Sequence, residues 1–82
     1  MTKEEIKERK EEIRLVIKFF EQIEFWDKFN GNPIRKRSVP DEEAMPIDLV
    51  PEQLKDYAYF TLLPHRLRNK YKKQLQREYD KL

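Results

Sequence analysis

Apolar residues near the start of the chain recur every three or four positions. Between residues 6 and 23 they fall in one sector about 120° wide at 100° per residue, which is typical of an amphipathic α-helix. They are Ile6, Ile13, Val16, Ile17, Phe20 and Ile23. Charged residues occupy the opposite side. The pattern predicts a helix over residues 2–29, ended by Asn30-Gly31 and Pro33.

The next segment, residues 30–51, has no helical period and holds four of the five prolines. Proline favours extended geometry in the residue before it, so an irregular, proline-rich connection is predicted. The alternation of Met45, Ile47 and Leu49 with other residue types predicts an extended strap across the helices. A short two-stranded ribbon with Ile34–Val39 is the alternative.

Helix-compatible sequence returns after Pro51, which suits the first position of a helix over residues 52–63. Pro64 ends that segment and opens a third helix over residues 64–82. The inner face of the second helix consists of Leu54, Tyr57, Ala58, Thr61 and Leu62. The stripe of the third consists of Leu67, Tyr71, Leu75, Tyr79 and Leu82. We therefore predict one small all-α domain, residues 1–82, with a long N-terminal helix packed on two shorter C-terminal helices.

All three helices contribute to the predicted core. Its members are Ile13, Val16, Ile17, Phe20, Ile23, Leu54, Tyr57, Ala58, Leu62, Leu67, Tyr71 and Leu75. A helix of about 27 residues is roughly 40 Å long, whereas a compact globule of this size is about 30 Å across. Residues 2–11 are therefore expected to project beyond the core, either into solvent or against another chain.

Composition narrows the possible functions of the 82 residues. The chain has no cysteine and one glycine, which excludes disulfides, cysteine-ligated zinc and glycine-rich phosphate loops. No apolar run approaches the roughly 18 residues of a membrane-spanning helix, and the N-terminal residues lack the pattern of a secretory signal. These features predict a cytoplasmic protein without a membrane partner.

Residues suited to catalysis are few. His65 is the only histidine and Ser38 the only serine, and neither lies in a motif typical of a nucleophile or a metal ligand. A small helical chain also has little room for a cleft that excludes water. We therefore predict no enzymatic activity, no metal, no cofactor and no small-molecule substrate. No segment resembles a known protein family.

Five aromatic residues crowd the second half of the first helix. They are Phe19, Phe20, Phe25, Trp26 and Phe29. At 100° per residue they spread around most of the helix, so either the proline-rich connection covers the outer rings or another chain does. The leading hypothesis is a non-catalytic protein-binding module, a small adaptor, inhibitor or regulator. Phe25, Trp26 and Phe29 are its predicted contacts with a protein partner or a second copy.

Charge supports a second hypothesis, although the net charge is only +2. Residues 64–82 carry +5 and residues 30–40 carry +3, so these segments could bind nucleic acid. The candidate contacts are Arg35, Lys36, Arg37, Arg66, Arg68, Lys70, Lys72, Lys73 and Arg77. The alternative is that the basic block pairs with residues 41–63, which carry −5. A third hypothesis is a structural subunit that self-assembles through residues 2–17.

Overall fold

A computed structural model gives the architecture of the chain and describes residues 2–29, 37–40, 42 and 44–82. These described residues contain helices and no strand. The elements in chain order are α1 (Lys3–Phe29), a 3-10 turn (Ile47–Leu49), a 3-10 helix (Glu52–Leu62) and α2 (His65–Lys81). The all-α prediction is confirmed: the long N-terminal helix packs on two shorter C-terminal helices. The predicted helix end at Asn30-Gly31 and residues 34–36 of the alternative ribbon lie outside the described residues, and residues 37–39 of that ribbon form no strand.

Helix α1 begins one residue later than predicted because Thr2 caps it. The Thr2 Oγ1 accepts a hydrogen bond from the Glu5 backbone N–H at 3.2 Å, which satisfies one of the free amides of the first turn. Glu4 and Glu5 also place negative charge where the helix dipole favours it. Local sequence therefore determines where this helix starts.

Helices α1 and α2 form an antiparallel hairpin. His65, at the start of α2, lies against Glu24 near the end of α1, with Nδ1 3.0 Å from Oε1. At the other end Glu78 bonds to Arg9. The predicted overhang of residues 2–11 is therefore too long, because α2 reaches back as far as Arg9. Helix α2 continues past Glu78 to Lys81, and the molecule measures 43 × 24 × 17 Å.

The segment predicted as the second helix is a 3-10 helix rather than an α-helix. Its repeat of three residues per turn aligns Leu54, Tyr57 and Phe60 toward α1, with Leu54 and Phe60 buried. The backbone leaves helical geometry at Leu54, where φ is −113° and ψ is 16°. The predicted inner face assumed 3.6 residues per turn, so it included Leu62, which is only partly buried, and omitted Phe60.

The core lies between α1, the 3-10 helix and the segment that follows Ala44. Its buried cluster is Val16, Phe19, Phe20, Ile23, Met45, Val50, Leu54 and Phe60. The rings of Phe20 and Phe60 meet edge to face at 4.9 Å. Phe19, Met45, Val50 and Phe60 were not in the predicted core.

Two predicted core positions on α2 lie at the margin of the core. Leu67 is partly buried, and Tyr71 is 42% exposed although its ring centre lies 5.1 Å from that of Phe60. The interior position between them is taken by Arg68, which is 2% exposed. The core is therefore centred on α1 and the 3-10 helix, and α2 closes one side.

Candidate protein-interaction site

The last two turns of α1 present two phenyl rings to solvent. Phe25 is 71% exposed and Phe29 is 77% exposed. They are four residues apart and therefore lie one above the other on the same helix face. Their ring centres are 6.4 Å apart with the ring planes 21° from parallel. Two of the three predicted contacts thus form one exposed aromatic surface.

Beside these rings lies a shallow apolar groove of about 380 Å³. We call it the aromatic groove; its lining residues are Gln22, Phe25, Trp26, Phe29, Met45 and Leu49. The three residues predicted from sequence therefore line one feature. Met45 and Leu49 supply the opposite wall, and sequence reasoning did not assign them to the site.

Trp26 differs in environment from its two aromatic neighbours. It is partly buried and packs against the core cluster, so it forms the floor of the aromatic groove. Neighbouring Asp27 is buried at 4% exposure and lies against Arg68, with Oδ2 and Nη2 3.5 Å apart. The base of the site therefore consists of a tryptophan that packs on the core and a buried ion pair that joins the end of α1 to α2.

The opposite wall is set by the 3-10 turn Ile47–Leu49. The Leu49 N–H donates to the Pro46 carbonyl at 3.0 Å, and the Lys55 ammonium donates to the Ile47 carbonyl at 2.8 Å. This turn replaces the predicted extended strap, whose alternation would have placed Met45, Ile47 and Leu49 on one side. Met45 is instead buried, whereas Ile47 is 60% exposed and Leu49 is 51% exposed. Because its side chain is exposed, Leu49 lines the aromatic groove.

A polar cluster joins three elements at the other end of the hairpin. The Arg9 guanidinium donates to both carboxylate oxygens of Glu78, at 3.1 and 2.7 Å, and its Nη1 lies 3.2 Å from Glu12 Oε2. The Tyr57 hydroxyl donates to Glu12. We call Arg9, Glu12, Tyr57 and Glu78 the polar clamp.

Hydrogen bonds within the polar clamp shift the pKa values of its members. The hydrogen bond from Tyr57 lowers the pKa of Glu12 below its usual value, and the same bond raises the pKa of Tyr57. The hydrogen bonds from Arg9 lower the pKa of Glu78. Each shift favours the ionised carboxylates and the protonated phenol, which are the states that hold the clamp together.

The predicted nucleic-acid contacts are divided by the structure. Arg35 and Lys36 lie outside the described residues. The exposed members are Arg37, Arg66, Lys70, Lys73 and Arg77, while Lys72 is half-exposed. Lys72 Nζ lies 3.7 Å from Glu21 on α1.

Arg68 was predicted to face outward, and this is wrong. Its side chain is 2% exposed because it shares the inner stripe of α2 with Leu75, seven residues later, and it packs over Asp27. The spacing of Asp27 and Arg68 from the apolar residues of their own helices does indicate this pair. Asp27 follows Ile23 by four residues and Arg68 precedes Tyr71 by three, so each apolar stripe contains one charge of opposite sign.

Other chemistry is sparse in the part of the chain that the structure describes. Within residues 2–29, 37–40, 42 and 44–82, no three His, Asp or Glu side chains are placed to hold a metal ion. A second open depression of about 740 Å³ lies between α1 and α2, with Leu15 and Tyr79 among charged residues. No helix among these described residues combines the length and hydrophobicity needed to cross a membrane.

Comparison with known proteins finds no match: no protein-family model, curated protein or solved structure is significantly similar to this chain.

Proposed function

We propose that this protein is a non-catalytic protein-binding module, a small adaptor, inhibitor or regulator that acts through the aromatic groove. The observation that carries the proposal is the exposure of Phe25 and Phe29 beside the apolar wall formed by Leu49 and Met45. Aromatic residues are the commonest anchors of protein interfaces. The predicted cytoplasmic location stays a prediction.

Energetics favour a partner at this surface. Fully burying a phenylalanine side chain contributes about 1.5–3 kcal/mol relative to leaving it in water. Phe25 and Phe29 forgo most of that contribution, since each exposes more than two-thirds of its surface. Leu49 extends the same apolar surface across the groove. A second chain that covers these side chains would recover the burial free energy.

The shape of the groove also suits a protein rather than a small molecule. It is shallow and open, and its polar lining residue is Gln22. Pockets for small ligands usually enclose most of the ligand and present several convergent polar groups. An open apolar groove is typical of a surface that receives apolar side chains from another chain.

The test is site-specific photo-crosslinking. Phe25 is replaced by benzoyl-phenylalanine, which retains an aromatic ring, and the protein is irradiated in cells or lysate. We expect a crosslinked protein band that disappears when Phe29→Ser is added, because that change removes half of the exposed aromatic surface. The matched control adds Leu15→Ser, an exposed apolar residue outside the groove.

Placing the same photo-reactive residue at Tyr59 gives a second control, since Tyr59 is 51% exposed but does not line the groove. Absence of any protein crosslink from position 25 would contradict the proposal. Equal crosslinking with Phe29→Ser and Leu15→Ser would contradict it as well, because the contact would then be insensitive to the groove.

A second candidate function follows from the outer face of α2. Arg66, Lys70, Lys73 and Arg77 are spaced four, three and four residues apart and are all exposed. This spacing places the four cations in one stripe roughly 17 Å long, at 1.5 Å rise per residue. Such a stripe can follow a phosphate backbone.

Salt titration tests this candidate. If the stripe binds nucleic acid, affinity falls steeply as salt rises, because each neutralised phosphate releases condensed counterions. Replacing Lys70 and Lys73 with glutamine should reduce the salt slope by about two. No gel shift at micromolar protein in low salt would reject it.

A further inference from the structure

The exposed side of α1 carries a regular seam that the intramolecular core does not use. Its members are spaced four, three and four residues apart: Lys18, Gln22, Phe25 and Phe29. All four are exposed. Alternating spacings of three and four are typical of a surface that packs along another helix. Glu21 and Lys28, also exposed, border this seam on one side.

We propose that the seam binds the same seam of a second copy of this chain, with the two α1 helices antiparallel about a two-fold axis. The inference rests on the proposed function and names its partner. In the proposed register the axis passes between residues 23 and 24, so that Gln22 of each copy faces Phe25 of the other. The two Phe25 side chains are then about 4.5 Å apart along the axis. Lys18 of each copy faces Phe29 of the other.

Charge complementarity supports this register. Glu21 of each copy lies beside Lys28 of the other, and the two-fold axis makes this contact occur twice. Lys18 meets the face of Phe29, a favourable arrangement of a cation with an aromatic ring. Glu21 already lies 3.7 Å from Lys72 in its own chain, yet its side chain is 60% exposed and remains accessible to a second ammonium group.

The antiparallel register one heptad closer to the N-terminus is less favourable. It pairs Leu15 with Phe25 of the second copy. However, it also brings Glu21 against Glu21 and Arg14 against Lys28, which are like charges. Electrostatics thus oppose that register.

A parallel arrangement also opposes like charges. Each residue on this face then meets its own equivalent: Lys18 meets Lys18, and Glu11, seven residues earlier on the same face, meets Glu11. The antiparallel register centred between residues 23 and 24 is therefore the one of the three that buries both phenylalanines next to complementary charge.

Charge exchange between copies tests the proposal. The wild-type protein is expected to show a concentration-dependent dimer in analytical ultracentrifugation from the low micromolar to the near-millimolar range. Glu21→Lys and Lys28→Glu should each raise the dimer dissociation constant about tenfold, because each converts two attractive contacts into repulsive ones. An equimolar mixture of these two variants should regain wild-type affinity, since the mixed dimer restores both opposite-charge pairs.

The double variant E21K/K28E should also dimerise like the wild type, and its recovery shows that neither change damages the fold. Glu8→Lys is the matched control: it makes the same charge change on an exposed residue of α1 beyond the proposed interface. It should leave the dissociation constant within twofold of wild type.

Two outcomes would overturn the inference. The first is a monomer at every concentration. The second is a dimer whose dissociation constant is unchanged by these substitutions or does not recover when the two variants are mixed. Crosslinking from position 25 separates this failure from that of the proposed function. A crosslink of twice the chain mass supports the second copy, whereas crosslinks only to other proteins overturn the second copy and leave the protein-binding function standing.

Discussion

The two ends of the α1–α2 hairpin are each joined by an arginine and a carboxylate, but in different surroundings. At the end that carries the aromatic groove, the side chains of Arg68 and Asp27 are 2% and 5% exposed. At the opposite end the side chains of Arg9 and Glu78 are 29% and 42% exposed. The same pair of charged groups therefore contributes differently to stability at each end.

Solvent accounts for the difference. Water screens the exposed pair and already solvates both partners, so forming it contributes about 0–1 kcal/mol. The buried pair has given up hydration on both sides, and removal of one partner leaves a charge in a medium that cannot solvate it. Asp27 and Arg68 therefore constrain how the helices meet, whereas Arg9 and Glu78 adjust an end that is already formed.

The largest predicted effect is that of Asp27→Ala. This variant should lose about 3 kcal/mol of unfolding free energy, because Arg68 is left buried without this carboxylate. Urea denaturation followed by circular dichroism measures the loss. Asp56→Ala, an exposed aspartate on the 3-10 helix, is the control and should change stability by less than about 0.5 kcal/mol. Equal losses in the two variants would show that the buried pair contributes no more to stability than an exposed aspartate does.

Trp26→Ala comes next, with an expected loss of about 2 kcal/mol. If Trp26 acted only as a contact with a partner, this variant would keep its helicity. Since Trp26 packs against the core, we expect lower helicity near physiological temperature as well.

Phe25→Ser and Phe29→Ser are its matched comparison, because both rings are largely exposed. Each should change the unfolding free energy by less than about 0.5 kcal/mol. Thermal denaturation of all three variants tests the assignment of Trp26 to the floor of the groove and of the two phenylalanines to its exposed wall.

A smaller effect is expected at the polar clamp for Tyr57→Phe. The substitution keeps the aromatic packing on Phe60 and removes only the hydroxyl that donates to Glu12, so it should cost about 1 kcal/mol. Tyr59→Phe is the control, since the Tyr59 ring also stacks on Phe60 but is half-exposed. A loss of unfolding free energy no larger than that of the control would show that this hydrogen bond does not stabilise the polar clamp.

The smallest effect is a pH dependence of stability. The lowered pKa values of Glu12 and Glu78 mean that their stabilisation is complete above about pH 4.5, the value of an unperturbed glutamate, and is lost as the pH falls below it. Tyr57 has the opposite sign: its raised pKa gives stabilisation that is complete below pH 10.0 and lost as the pH rises beyond it.

Glu78→Gln should weaken the acid part of this dependence and cost about 0.5 kcal/mol at neutral pH. Unfolding curves at pH 7, 4 and 3 for wild type and variant provide the measurement. Identical pH profiles would show that the Arg9–Glu78 contact does not contribute.

Helix formation was largely predictable because it follows from local rules. Three local features predict the order of the elements and their approximate ends. They are the period of α1, the absence of proline within it, and the prolines before the 3-10 helix and α2. Position on the helix also predicted that Phe25 and Phe29 turn away from the core, since both lie outside the stripe that contains Ile23.

Errors arose where the local period changes or where a distant residue supplies the partner. The 3-10 geometry of Glu52–Leu62 brings Phe60 into the core, and the turn Ile47–Leu49 buries Met45 while exposing Leu49. Helical periodicity predicts Arg68 as a surface cation because its partner, Asp27, is 41 residues away in sequence. Periodicity within one element does not reveal such pairings.

The sequence by itself determined that this chain forms a long amphipathic helix and two shorter helical segments, with more aromatic rings on the first than one face can bury. Backbone propensity, proline placement and hydrophobic spacing are local properties, so they can be read along the chain. Only the tertiary structure decided which of those rings became the core, the floor and the exposed wall of the groove. It also decided that one arginine is buried, because burial depends on which distant side chains meet when the helices pack.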